Sequence, residues 1–353
     1  MDWRSLIPTP DSIPAPWWVF EALGVVTFTI HLLFMNVALG GTLMLLASRL
    51  RGGDWLAEAG FHGAAVKKIP SMIALAVNFG VAPLLFVQVL YGHLMYSSSV
   101  LMGVYWLLVI PLLILAYYCA YIYARRHAVA ALAASAVVLL YIAFMQVNNM
   151  TLMLQPEKWT AYFEDRGGTL LNLGDATLIP RYLHFVTAAV AVAGLFSSVI
   201  WAWREKQGAE GAGDHVRSGL RVFAHASAVE ILIGFWWLVA LPRDVMMAFM
   251  GGNLLYTVVL MVGIGLGIAA MVTAFMGKLA PTAGLLLGTL VVMVINRAFL
   301  RAAYVGRFFS VDGLEVVPQY GVLALFLIVF AVGLAAVRYI LNAAYAASRR
   351  GAA

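Results

Sequence analysis

The stretch WVFEALGVVTFTIHLLFMNVALGGTLMLLA, residues 18–47, decides the fold class. It is apolar along nearly its whole length, and a helix needs about 20 such residues to cross roughly 30 Å of hydrocarbon. It lacks the alternation of apolar and polar residues that a membrane β-strand shows. Because only helices and closed barrels satisfy every backbone group in lipid, the stretch predicts a transmembrane helix.

Eight further stretches share this pattern, so the sequence predicts nine transmembrane helices. The chain of 353 residues is 63% hydrophobic and 11% charged, whereas a soluble domain carries about 25% charged residues. We therefore expect one all-α domain over 1–353, embedded in the lipid bilayer. The predicted spans are 18–47, 70–95, 100–124, 128–154, 180–203, 218–241, 253–276, 281–303 and 318–343.

The lysines and arginines of the loops predict the orientation. They cluster after the first, third and fifth spans and in the C-terminal tail, and none lies between the second and third spans. Because basic loops stay in the cytoplasm, we expect an external N-terminus and a cytoplasmic C-terminus, in the inner (cytoplasmic) membrane. No cleavable signal peptide is expected, because the N-terminus lacks a basic segment ahead of an apolar one.

The longest linker, 155–179, is then an external surface segment. It carries Trp159, Asp165 and Arg166, and we expect it to be the docking face for a partner protein. Other classes of function are excluded by composition. Cys119 is the only cysteine, which rules out a disulfide framework and a covalently attached c-type haem. The net charge of +6 is spread over short loops, so no nucleic-acid partner is expected.

Two histidines lie inside predicted spans, where polar side chains are costly and often functional. His31 is in the middle of the first span, and His184 is about one turn into the fifth. Met261 lies about two turns into the seventh span. Since the fifth and seventh spans enter from the same side, His184 and Met261 are at comparable depth, roughly 6–12 Å below the surface. An imidazole and a thioether on facing helices can hold a haem iron. Hydrogen bonding between helices and ordinary packing are the alternatives.

Six stretches of the chain, in order, resemble subunit I of the cytochrome bd quinol oxidases, and the resemblance covers most of the sequence. It implies that His184 and Met261 are the axial ligands of a low-spin haem b. It also implies that His31 ligates a haem of the oxygen-reducing pair, so one haem b is expected and a second or third is left open. The stretches are IHLLFMNVALGG, VNFGVAPLLFVQVLYG, LYIAFMQVNNM, LHFVTAAVAVAG, RVFAHASAVEILIG and LYTVVLMVGIG.

The departures from that family concern its proton and quinol chemistry. Gln88 stands where the family has a glutamate in the second helix, and Tyr304 replaces the glutamate before VGR at 305–307. Glutamine cannot exchange protons, and an ordinary tyrosine has a pKa of about 10. We therefore expect no oxygen reduction by this chain. Tyr304 is expected to ligate a second haem or to donate a hydrogen bond beside it. The quinol-binding loop of the family is shortened here to 242–253, which leaves a quinone or quinol site open.

Three arginines are candidates for binding haem propionates, because guanidinium groups bind carboxylates in a bidentate way. Arg297 and Arg301 are at i, i+4 on one face of the eighth span, and Arg181 is one turn before His184. Snorkelling to the membrane interface is the alternative. Glu230, in the sixth span, is either a proton-handling carboxylate or the partner of a buried arginine.

The sequence thus predicts a b-type haem electron-transfer subunit of a respiratory complex. It would move electrons between the quinone pool and a redox partner, with other subunits and a c-type cytochrome on the external side as candidate partners. The alternatives are a divergent quinol:oxygen terminal oxidase and a haem-free transporter or scaffold.

Overall fold

The computed structural model describes residues 2–50, 66–164 and 166–350. In this part of the chain nine helices are long and apolar enough to cross a membrane, which confirms the predicted all-α, multi-pass membrane fold. The helices are α1 (Trp17–Leu50), α2 (Ile69–Leu101), α3 (Gly103–Arg126), α4 (Val129–Leu154), α5 (Leu178–Glu205), α6 (Ala212–Ala240), α7 (Leu254–Phe275), α8 (Leu279–Val305) and α9 (Tyr320–Arg350).

The end of α2 lies beyond the predicted boundary at residue 95. The serines at 97–99 suggested a loop, yet the helix runs on to Leu101 and only Met102 separates α2 from α3. The Ser97 hydroxyl donates to the backbone carbonyl of His93 at 2.8 Å, and the Ser99 hydroxyl donates to that of Met95 at 2.7 Å. Serine hydroxyls that bond one turn back are satisfied inside a helix, so they do not have to end it.

Helix α1 is the centre of the bundle. It packs against α2 and α5 along much of its length and also contacts α4 and α8. Gly40 permits the contact with α5, since a Cβ atom there would lie 1.9 Å from the carbonyl oxygen of Ala189. Small residues let two backbones approach in this way within a membrane. The pairs α3–α4, α5–α6 and α7–α8 pack as neighbours around α1.

Helix α9 is separate from this bundle. Every side chain described between 320 and 346 is exposed, and α9 makes no extended contact with the other eight helices of the described chain. It therefore takes no part in the two cavities described below.

The segment 155–179 forms part of a cap at the end of the bundle where α1 begins. Its short helix Pro156–Phe163 contacts the N-terminal turn Trp3–Leu6, and Glu157 binds Arg307 at 2.9 Å. The expected docking face needs one correction, because Trp159 is 3% exposed and donates its indole N–H to Leu152. Arg166 is exposed, and Asp165 lies outside the described residues.

Candidate functional site

A cavity of about 440 Å³ surrounds His31 between α1, α2, α4, α5 and α8. Its volume falls in the range of roughly 300–1,000 Å³ that is usual for ligand sites. The walls are mostly apolar. The polar side chains among them are Glu21, His31, Gln146, Arg181, Arg297 and Arg301. We refer to this space as the His31 cavity.

The imidazole of His31 is held by the backbone of α2. Its Nδ1 lies 2.8 Å from the carbonyl oxygen of Ala76. Because a carbonyl only accepts, Nδ1 carries the hydrogen, and in the neutral ring Nε2 keeps its lone pair. The ring also stacks on Phe28 at a centroid distance of 5.9 Å. Metal-binding histidines are commonly fixed by such a bond from the other ring nitrogen.

Gly80 provides the space for this ring. A Cβ atom at position 80 would lie 2.9 Å from both Cε1 and Nδ1 of His31, which is too close for a real contact. A larger residue would therefore displace either the imidazole or α2. The sequence placed Gly80 within a stretch that resembles the bd family, but its contact with His31 is visible only in three dimensions.

The three predicted arginines all line the His31 cavity, but their partners differ. Arg301 binds Glu21 at 2.7 Å and lies over the ring of Tyr91 at 4.5 Å. Arg297 donates to the sulfur of Met150 at 3.8 Å and lies over the ring of Phe28. The i, i+4 spacing thus does bring Arg297 and Arg301 to one face of α8.

Arg181 is 3% exposed and lies over the ring of Trp237 at 5.0 Å. Its Nε is buried and has no hydrogen-bond partner among the described residues.

Glu21 is a site residue that the sequence reasoning missed. It lies inside the first predicted span, and a carboxylate within a span is itself a sign of function or of pairing. It is also close to the start of that span, where a charged side chain costs less than at the centre of the membrane. The structure instead places it in the wall of the His31 cavity, bound to Arg301.

A second cavity, of about 230 Å³, surrounds His184 between α1, α5, α6, α7 and α8. We refer to it as the His184 cavity. Nε2 of His184 lies 3.6 Å from Oε1 of Glu230, and Nδ1 is buried with no partner among the described residues. Glu230 therefore faces a histidine, and it forms no ion pair with an arginine in the part of the chain that the structure describes.

Met261 does not line the His184 cavity, and its side chain is 51% exposed. His184 and Met261 are at similar distances from the starts of their helices, about 9 Å and about 10 Å. The orientation of α7 about its own axis, however, turns Met261 away from the His184 cavity. The buried residues of α7 are Gly263, Ala270 and Ala274, and Met261 is about 200° around the helix from Gly263. The structure does not bring Met261 and His184 together.

Tyr304 and Gln88 also lie outside the walls of both cavities. Tyr304 is 1% exposed, and its hydroxyl is near Thr177 and Arg181 without a hydrogen bond of ordinary geometry. Gln88 is half-buried on α2, where the preceding Val87 lines the His31 cavity instead. The structure therefore gives neither residue the expected position beside a haem.

The two cavities are neighbours. Six residues line both of them: Phe28, Leu32, Phe185, Trp237, Val294 and Arg297. Groups bound in the two cavities would be separated by little more than these side chains. No comparison with known protein families or with curated proteins finds a match for this sequence.

Proposed function

We propose that the chain is a b-type haem subunit of a respiratory electron-transfer complex and that His31 holds the haem iron. The observation that supports this most strongly is the fixed imidazole of His31 in the wall of a cavity of about 440 Å³. Two further features fit a haem: Gly80 leaves room beside the ring, and arginines line the walls to meet its acidic groups. A haem b bound there would supply one-electron chemistry.

The residues of the chain would orient the haem and protect it. The Ala76 carbonyl sets the tautomer of His31 and the orientation of its ring. Phe28, Phe185 and Trp237 give the cavity apolar walls, which exclude water. The described residues contain no cluster of three or more histidine, cysteine, aspartate or glutamate side chains that would hold a bare metal ion. A single imidazole of this kind would hold the iron of a haem, whose macrocycle supplies the other ligands.

The partners in this proposal follow from the resemblance to the bd family. The quinone pool is the source or acceptor of electrons, and other subunits in the cytoplasmic membrane complete the complex. A c-type cytochrome on the external side is the candidate redox partner. The exposed part of 155–179, which includes Arg166, is the surface proposed for it.

A terminal oxidase is the second candidate, and Glu21 is the observation that favours it. Reduction of oxygen consumes protons and needs an ionisable group near the iron. Gln88 and Tyr304 do not face the cavity, whereas the Glu21 carboxylate lines it. Against this, Glu21 is bound to Arg301 at 2.7 Å, so its carboxylate is already occupied by an ion pair.

Oxygen uptake with a reduced quinol analogue distinguishes the two candidates. We expect the analogue to reduce the haem of the purified protein without sustained oxygen consumption. Cyanide-sensitive uptake on the order of 10 per second or more, lost in Glu21→Gln, would overturn the electron-transfer proposal and establish the oxidase.

A further inference from the structure

The charges in the His31 cavity do not balance. Three guanidinium groups, those of Arg181, Arg297 and Arg301, line the cavity together with a single carboxylate, that of Glu21. Glu21 is bound to Arg301 at 2.7 Å. Among the described residues, neither Arg181 nor Arg297 forms an ion pair with a carboxylate. Two of the three guanidinium groups therefore lack a paired carboxylate among the described residues.

Arg297 has no carboxylate in direct contact among the described residues. It contacts the sulfur of Met150 at 3.8 Å and the ring of Phe28, whose centroid is 4.6 Å away. It is also near enough to Arg301 and Arg181 for like-charge repulsion, which outweighs a weaker attraction from Glu21. Glu230 borders the neighbouring His184 cavity, where it faces His184. Nothing described around Arg297 replaces the water that its charge loses on burial.

Arg181, on α5, is similarly buried beside the same cavity. The side chain is 3% exposed, and its Nε has no hydrogen-bond partner among the described residues, although the Tyr304 hydroxyl is near the guanidinium group. Asp175, which is near enough to act on it electrostatically, is hydrogen-bonded to Gln155 and Thr177. A buried unpaired charge is strongly unfavourable, so two such arginines beside one cavity indicate that an anionic ligand completes the site.

We infer that Arg181 and Arg297 bind the two acidic groups of a dianionic ligand in the His31 cavity. Arg301 does not take part, because Glu21 already neutralises it. This inference rests on the proposed function, in which the dianion is haem b and its acidic groups are the propionates. The sequence suggested that Arg297 and Arg301, at i, i+4 on α8, act together. The pair inferred here comes from two different helices, with Arg181 on α5 and Arg297 on α8.

The test compares two ligands that differ only in charge. The haem-depleted full-length protein is titrated with haem b and, separately, with haem b dimethyl ester, whose propionates are masked. Binding is followed by visible absorbance. We expect the wild type to bind haem b about tenfold or more tightly than the ester, since charge-assisted hydrogen bonds are lost in the ester.

Variants of single arginines show which side chains cause the preference for haem b over its ester. Arg181→Gln and Arg297→Gln should each reduce the preference for haem b, and Arg297→Lys should keep part of it. Arg307→Gln is the matched control, because Arg307 follows α8 directly and binds Glu157 outside the cavity. It should leave the preference unchanged.

The titrations separate failure of the arginine assignment from failure of haem binding itself. Equal affinity of the wild type for haem b and the ester would overturn this inference while leaving haem binding intact. A preference that survives both glutamine variants but disappears in Arg301→Gln would also overturn it. If neither ligand binds, the proposed function itself fails. The wild-type comparison is decisive even if a glutamine variant does not fold.

Discussion

The two cavities each contain one intramembrane histidine, but the two imidazoles are held differently. In the His31 cavity, Nδ1 donates to the Ala76 carbonyl, and no hydrogen bond to Nε2 is found within the described part of the chain. In the His184 cavity, Nε2 faces the Glu230 carboxylate at 3.6 Å and Nδ1 is sealed in the protein. The first cavity also has nearly twice the volume, about 440 Å³ against about 230 Å³.

This difference shows that a histidine within a span is not by itself a ligand. The bond made by its second nitrogen and the space in front of the first decide what it can bind. His31 meets both conditions as the chain is folded. For His184 to bind an iron through Nε2, the Glu230 carboxylate would have to move or be part of the site.

Replacing each histidine gives the largest contrast. His31→Ala should remove about one haem per chain, because the axial ligand is lost, and added imidazole should restore part of it. His184→Ala should leave the His31 haem in place. Haem content per protein is the measurement for both variants. Loss of all haem in His184→Ala together with full retention in His31→Ala would reverse the assignment of the two cavities.

Each histidine ring faces a glycine, and substituting these two glycines should give a smaller difference in haem binding than substituting the histidines. A Cβ at Gly80 would be 2.9 Å from the His31 ring, whereas one at Gly234 would be 3.5 Å from the His184 ring, an ordinary contact. Overpacking costs about 1–3 kcal/mol, so Gly80→Ala should weaken haem binding about tenfold.

Gly234→Ala is the matched control, since both glycines are in helices and both replacements add one methyl group. It should change haem affinity less than about twofold, well under 1 kcal/mol. Equal effects of the two substitutions in a haem titration would show that the space beside His31 is not what makes it a ligand.

Met261→Leu should have the smallest effect, because the side chain is half exposed and points away from the His184 cavity. Leucine is close in volume and equally compatible with lipid. We expect an unchanged reduced spectrum. Conversion of a low-spin spectrum to a high-spin one would instead support the pair His184 and Met261 that the bd resemblance implies, and would require α7 to be rotated.

The sequence predicted the nine helices well, because a membrane requires long apolar runs and the basic residues mark their ends. The positions of His31, His184 and Met261 along their helices also follow from the sequence, since they depend only on counting residues. The sequence did not predict which face of each helix turns towards the bundle. Helix α7 is apolar on every side, so only packing at Gly263, Ala270 and Ala274 decides which face turns inward.

The pairing of charges was also beyond the sequence. Arg301 and Glu21 are 280 residues apart in the chain, and no local pattern connects them. Spacing correctly placed Arg297 and Arg301 on one face of α8. It could not show that Glu21 forms an ion pair with Arg301, or that Arg181 lines the same cavity from α5.

The haem content of the purified wild-type protein tests the central claim most directly. Reduced-minus-oxidised visible spectra, together with a haem-to-protein ratio, should show b-type haem at about one equivalent per chain or more. A purified and correctly folded protein without any haem would contradict the account and would favour a haem-free transporter or scaffold.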